Sequence, residues 1–200
     1  MTAPAAVGAG AVDDPREDAA LLNAHVAGDP EAFAVLAARH QNRMWAVALR
    51  TMREPEEAAE ALQDAYIHAF RRAETFRGEA AVTTWLHRIV VNACLDRIRR
   101  NKVRRTEALP EDLDRMAELA ADTVDSGEML EGKELQADIA EALGQLNPDQ
   151  RAAVVLVDME GYSVVEAAAM LGCAPGTIKS RCSRGRAKLA PLVAHLRGLS

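Results

Sequence analysis

Two helical patterns meet across only Gly172, Cys173 and Ala174, and that spacing constrains the fold more than any other feature of the chain. Three residues join two helices only as a tight turn, which forces the helices against each other. Ser163-Val-Val-Glu166 has the spacing of a capping box and predicts a first helix running from there to Gly172. Pro175 suits a first helical turn and predicts a second helix to about Leu196, interrupted at Pro191. On that helix Ile178, Cys182, Gly185 and Leu189 form one packing stripe. Gly176, Lys179, Ser180, Ser183, Arg184 and Ala187 share the opposite side, with Thr177 in the first turn. A helix that buries one stripe and offers small and cationic residues on the other fits a major groove. Arg181, Arg186 and Lys188 flank that face and suit phosphate. The competing reading, a surface helix with a solvated basic face, weakens once the turn, the capping box and the local charge are taken together.

The chain of 200 residues has a formal net charge of −6, which looks unfavourable for a nucleic-acid partner until it is divided along the sequence. Residues 1–70 hold −6, residues 71–105 hold +7, residues 106–141 hold −10, residues 142–159 hold −1 and residues 160–200 hold +4. Two basic islands therefore flank an acidic tract. Charges act within a Debye length of about 10 Å, so each island can meet phosphate despite the acidic total.

Alanine-rich segments, few aromatics and almost no alternating β-branched residues predict an all-α fold. Residues 1–14 are small and featureless and read as a disordered tail. A helix is predicted from about Arg16 to Ala27. A second, capped by Asp29-Pro30, carries the stripe Phe33, Leu36, Ala37, His40, Met44, Val47 and Ala48. Pro55 opens a third, predicted to end near Glu74. A loop follows over 75–81, and a fourth helix runs from Val82 into a cluster of arginines. Residues 105–129 read as an acidic, flexible linker containing Pro110. The expected architecture is two small helical domains, 15–104 and 130–200, joined by that linker, the second containing the helix-turn-helix. No segment has the roughly 20 uninterrupted apolar residues of a membrane span, and no basic segment leads into an apolar run at the start, which predicts a cytoplasmic protein.

Cys94, Cys173 and Cys182 lack a C-x-x-C pair, so buried or idle thiols are expected in place of disulfides or zinc. His25, His40, His68, His87 and His195 show no metal-ligand spacing and read as solvent-facing or boundary residues. No phosphate-binding loop, H-E-x-x-H or nucleophile elbow is present, which argues against an enzyme. No catalytic residue, metal site or cofactor is expected.

Asp64-Ala-Tyr-Ile-His-Ala-Phe70, Phe76-Arg-Gly-Glu79, Thr84-Trp-Leu-His-Arg-Ile89, Asn92 and Asp96-Arg-Ile-Arg-Arg100 resemble region two of extracytoplasmic-function sigma factors of RNA polymerase. Leu146-Asn-Pro-Asp-Gln-Arg151, Gly161-Tyr-Ser163, Glu166-Ala-Ala168, Gly176-Thr-Ile-Lys-Ser-Arg181 and Arg184-Gly-Arg-Ala-Lys-Leu189 resemble region four. The resemblance covers about residues 16–104 and 130–196 in that order. It implies that region two grips the clamp of core RNA polymerase and opens the minus-ten element, while region four reads the minus-thirty-five element. It also makes an anti-sigma factor a partner to look for.

The resemblance places clamp binding on Leu62, Gln63, Asp64, Tyr66 and Phe70, with the polar Gln63 and Asp64 the stronger interface candidates and the apolar three shared with the core. It assigns capture of a non-template-strand base to the loop from Phe76 to Thr84, since a base inside the stack must be extruded and held to be read in an opening duplex. Members of the family often carry Asp or Ser where this chain has Ala80 and Ala81, which leaves Arg77, Glu79, Thr83 and Thr84 as polar candidates. Trp85 either stacks on the bubble edge or packs under the loop. Leu86 stands where housekeeping sigma factors often have a second Trp, which implies weaker melting and stricter promoter demands. On the next helix Arg88, Asn92, Asp96 and Arg99 share a polar face suited to base edges, with Arg97 and Arg100 suited to phosphate. The acidic linker either threads the polymerase channel or is a soluble spacer. A stand-alone helix-turn-helix repressor or activator is the rival function, and binding to core polymerase separates the two.

Overall fold

The computed structural model describes residues 14–107 and 130–194, and every regular element among them is helical. The predicted tail (from 1 to 13), most of the predicted linker and His195 lie outside the described residues. The chain divides into two compact units, residues 1–94 and 95–200, with the division inside one long helix. No helix among the described residues is long and apolar enough to cross a membrane.

The first unit holds α1 (Asp18–Val26), α2 (Ala32–Thr51), α3 (Pro55–Arg71), a single 3-10 turn (Ala73–Thr75) and the start of α4 (Val82–Glu107). Gly28, at φ 100, turns the chain out of α1. The Asp29 carboxylate then accepts from the Glu31 and Ala32 amides at 3.0 and 3.3 Å, satisfying donors at the start of α2. Pro55 begins α3, with Glu56 and Glu57 in its first turn and Arg71 in its last, each favourable to the helix dipole. α3 buries Ala58, Ala61, Ala65 and Ala69 with Leu62, a nearly methyl-only face that lets α2 come close. α2 answers with Phe33, Leu36, Met44, Val47 and Ala48, and α4 adds Leu86, Val90, Val91 and Cys94 to the core. α3 ends three residues earlier than predicted, and the 3-10 turn completes the segment.

The second unit contains α5 (Leu130–Gly144), α6 (Pro148–Val154), a π-helical turn (Val155–Met159), α7 (Val164–Leu171) and α8 (Pro175–Leu192). Asn147 caps α6, its side chain accepting from the Gln150 amide at 2.9 Å. Arg151 is buried, and its guanidinium donates to the Leu143, Gly144 and Leu146 carbonyls. Leu143 and Gly144 close α5 and Leu146 lies in the turn after it, so a buried cation is matched to carbonyls at the negative end of a helix. The π-helical turn was not anticipated from sequence. Helix α8 passes through Pro191 to Leu192, one residue beyond the expected interruption.

The histidine expectation fails at two positions. His87 is fully buried and His40 nearly so, because each sits on the inward side of its helix. Burial pushes the His87 imidazole down to about 4, assisted by the positive charge of Arg43 and by His40. Burial likewise pushes the Cys94 thiol up to about 12 and raises that of Cys182, which keeps both protonated and unreactive. A histidine that folds neutral binds fewer protons than it does unfolded. Its stabilising contribution is therefore present above pH 6.5 and lost as pH falls toward 4. Chemical denaturation between pH 7 and pH 4 should show the parent losing on the order of 1–2 kcal/mol more than His87→Met. Parallel pH profiles for the two proteins would remove His87 as the cause.

Candidate nucleic-acid interface

The helix-turn-helix forms as its sequence requires. Ser163 and Glu166 close the capping box, with bonds of 3.2 Å from the Glu166 amide to the Ser163 hydroxyl and 2.8 Å from the Ser163 amide to the Glu166 carboxylate. Gly172 takes the left-handed conformation at φ 60, and the Cys173 amide donates back to the Ala168 carbonyl. Ile178, Cys182 and Gly185 are the buried stripe of α8. A Cβ on Gly185 would lie 2.8 Å from Val154 Cγ2, so only glycine allows this approach to α6. Gly176, Lys179, Ser180, Ser183, Arg184, Arg186, Ala187 and Lys188 are exposed, and Thr177 is half-buried. Arg184 donates to the Ser180 hydroxyl at 3.3 Å, which itself donates to the Thr177 carbonyl. Two flanking arginines are held by acids of the scaffold. Arg181 pairs with Asp149 at 2.8 Å, and Arg186 grips both oxygens of Asp158 at 3.1 and 2.6 Å. These long-range pairs orient α8 and offset two charges assigned to phosphate, leaving Lys179, Arg184 and Lys188 as cations of the exposed face that pair with no acid among the described residues.

In the first unit the loop over 76–81 and the start of α4 form one wall of a cleft of about 470 Å³. Phe76, Gly78, Ala80, Ala81, Val82 and Thr83 line that wall, and Glu17, Asp18, Ala19 and Arg39 line the other. Of the polar loop candidates only Thr83 faces the cleft, while Arg77 and Glu79 are exposed elsewhere and Thr84 is half-buried. Trp85 meets the Phe76 ring edge-on at 5.8 Å, so it packs against the loop and braces it. Leu86 is buried and belongs to the core. Hydrogen bonds and ion pairs tie the far wall together. Arg39 donates to Asp18 at 2.6 Å and to the Arg16 and Asp14 carbonyls at 2.9 and 2.7 Å, while His40 lies 2.7 Å from the other Asp18 oxygen. Partial burial opposes ionisation of Asp18, yet Arg39 and His40 outweigh it and hold the carboxyl below its usual range. Arg16 joins the start of α1 to Asp29, and it draws the Asp14 carboxyl down to about 2.

Along α4, Arg88, Asp96, Arg99 and Arg100 are exposed, and Asn92 and Arg97 half-buried. Asn92 donates to the Arg88 carbonyl at 2.8 Å, and Asp96 pairs with Arg99 at 2.8 Å. Of the five clamp candidates, Leu62 is buried and supports the surface from beneath. Tyr66 donates to the Ala37 carbonyl at 3.3 Å, and burial raises its phenol to about 12. Gln63 is exposed and Asp64 half-buried. Phe70 is 52% exposed yet stacked, with the His25 ring at 4.4 Å and the Phe33 ring edge-on at 5.2 Å. Val26 and Ile67 are also exposed.

The Sigma-70 region 2 family matches residues 36–104, and the Sigma-70, region 4 family matches residues 136–189. The chain is 50% identical over 181 residues to the ECF RNA polymerase sigma factor SigM of Mycobacterium tuberculosis, spanning 90% of this chain and 87% of that one. The chain belongs to the ECF RNA polymerase sigma factors. It is 38% identical over 159 residues to ECF RNA polymerase sigma factor SigE of Mycolicibacterium smegmatis, covering 80% of this chain and 60% of the relative. Among solved structures it resembles sigma factor RpoE in complex with the anti-sigma factor NepR from Bartonella quintana, at a TM-score of 0.61 and 26% identity over 79% of this chain and 94% of that one. CnrH in complex with the cytosolic domain of CnrY gives the same TM-score at 25% identity, over 89% of this chain and 97% of that one. Matches to both regions in one chain decide between a sigma factor and a stand-alone helix-turn-helix regulator.

Region two as matched begins inside α2, so Glu17 and Asp18 precede it while Arg39 falls within it. These three residues were absent from the sequence-derived site. Nothing in the helical periodicity marks them, because Arg39 meets Asp18 across twenty-one residues and the cleft they share with the loop joins segments still further apart. In region four of this sigma factor, Arg184→Ala should cost about 1–3 kcal/mol at one base pair or phosphate of the minus-thirty-five element. Lys188→Ala should weaken binding equally across sequences and lower the salt slope by roughly one unit. Affinities of the holoenzyme for promoters randomised upstream, taken at several salt concentrations, check both, and sequence-neutral effects for both would end the base-reading role of Arg184.

Proposed function

We propose that this sigma factor docks on core RNA polymerase through the end of α3, holds a minus-ten base in the cleft beside the loop, and reads the minus-thirty-five element with α8. The observation that carries the reading is the division of labour. The cleft and the exposed α3 end belong to one unit, while the exposed basic face of α8 belongs to the other. Residues 15–104 act as region two and residues 130–200 as region four, with 105–129 the spacer between them. Gln63, Asp64 and Phe70 meet the clamp, where an apolar ring rimmed by polar groups suits a protein interface. Thr83 lies at the captured base, Trp85 braces the loop, and Arg88, Asn92, Arg97, Arg99 and Arg100 follow the minus-ten strand. The chain carries out no chemistry of its own, works in the cytoplasm, and is restrained by an anti-sigma factor. The last assignment is supported by the similar fold of a sigma factor solved with its anti-sigma partner.

Gln63→Ala and Asp64→Ala should each weaken binding to core polymerase by about 1–2 kcal/mol without loss of helicity. Titration of labelled core enzyme, paired with circular dichroism of each variant, measures this. Unchanged affinity in both would move the clamp contact off α3.

A further inference from the structure

We infer that the far wall of the cleft, Arg39 and Glu17, selects the captured base, favouring one that bears an exocyclic amino group over thymine. This deepens the base-capture reading above and rests on it.

The near wall has little with which to discriminate. Ala80, Ala81 and Val82 offer methyl groups, Gly78 offers backbone, and Arg77 and Glu79 do not line the cleft. Thr83 is the one loop or α4 side chain in the lining that carries a hydroxyl. Discrimination by hydrogen bonds therefore falls to the opposite side, where Arg39, Asp18 and Glu17 stand.

Their bonding state assigns their roles. A guanidinium has five N–H donors. Three of Arg39's go to Asp18 and to the Asp14 and Arg16 carbonyls, which leaves Nε–H and one Nη2–H without a bond to the described residues. The same three bonds fix the plane of the fork, and the rest of the lining gives it no acid but Glu17 and Asp18. Asp18 is occupied on both oxygens by Arg39 and His40, so it positions Arg39 and does not read. Glu17 is exposed, and its carboxylate makes no capping bond to α1. The wall thus presents fixed donors beside an acceptor-only carboxylate.

That combination matches a base edge that sets an acceptor next to an amino group, as cytosine, adenine and guanine do. Thymine can offer Arg39 a carbonyl and Glu17 its N3–H, but that single donor is flanked by carbonyls on both sides, so pairing with the carboxylate brings a second carbonyl against Glu17, as an amino group does not. A phosphate would be repelled by Glu17 and Asp18, so the cleft suits a base edge and leaves phosphate to the arginines of α4. A volume of about 470 Å³ falls in the range of small-ligand sites, about 300–1,000 Å³.

The test is transcript yield from promoters randomised at each minus-ten position, using holoenzyme formed with the full chain. Parent, Glu17→Gln, Arg39→Lys and a chimera carrying residues 76–84 of a sigma factor with a different minus-ten preference are compared. At one position the parent should disfavour thymine by between roughly fivefold and a hundredfold. Glu17→Gln should reduce that discrimination to under about twofold, because an amide can turn its NH₂ toward a carbonyl. Arg39→Lys should lower discrimination among all bases at the same position, with its melting temperature checked for folding. Glu17→Gln replaces an exposed side chain that makes no cap bond, so it carries the test if Arg39→Lys is unstable. If the chimera shifts the preference while Glu17→Gln leaves thymine discrimination intact, the base is captured but this wall does not select it, and the inference is overturned. If none of the three altered proteins changes any minus-ten preference, base capture in the cleft is itself wrong and the inference falls with it.

Discussion

Two of the surfaces assigned here, the polymerase-facing end of α3 and the basic face of α8, stand on helices held against their neighbours by very small side chains. In the first unit the alanine face of α3 lets α2 approach closely. In the second, Gly185 admits Val154 into space that a single methyl group would contest. Close approach has two consequences. It gives dense packing from short helices, and it fixes the rotation of each helix, since a turn about its axis would drive larger residues into the contact. With the rotation of α8 fixed, Lys179, Ser183 and Arg184 necessarily share the outward face. The same logic sets α3, whose buried alanines leave Gln63 and Phe70 outside.

Charge is arranged in a second layer on this packing. The net charge of −6 conceals local surpluses, but the structure shows that a local count overstates what is available to DNA. In the island over 160–200, Arg181 and Arg186 are paired with Asp149 and Asp158. Exposed pairs of this kind are individually weak. Their effect on α8 is orientation, and Arg186 with both of its contacts on Asp158 has the geometry for it.

Much of the fold was legible in the residues because it depends on local rules. The capping box at Ser163, the left-handed turn at Gly172, the cap by Asp29 and the stripe of α8 each involve neighbours in sequence, and each forms as expected. Periodicity also identified which side of each helix is buried. It does not identify what that side meets, and the misses share that cause. His87 lies on an inward face although residue type ranks it as an ordinary polar group, and His40, which the α2 stripe includes, is more buried than its residue type suggests. The cleft wall of Glu17, Asp18 and Arg39 exists only because α1 and α2 fold beside the loop, and Arg181 reaches an acid thirty-two residues away. The π-helical turn at Val155–Met159 has no glycine or proline inside it to announce it.

The central claim is that this chain extrudes and holds a promoter base, and does so as part of the polymerase holoenzyme. The direct measurement places 2-aminopurine at successive minus-ten positions of the non-template strand and follows its fluorescence, which rises when the base leaves the stack. The account predicts a rise at one or two adjacent positions with holoenzyme, and none with the free chain at the same nanomolar concentration. A uniform rise across the opened region with no favoured position, or an equal rise with the free chain, would contradict it.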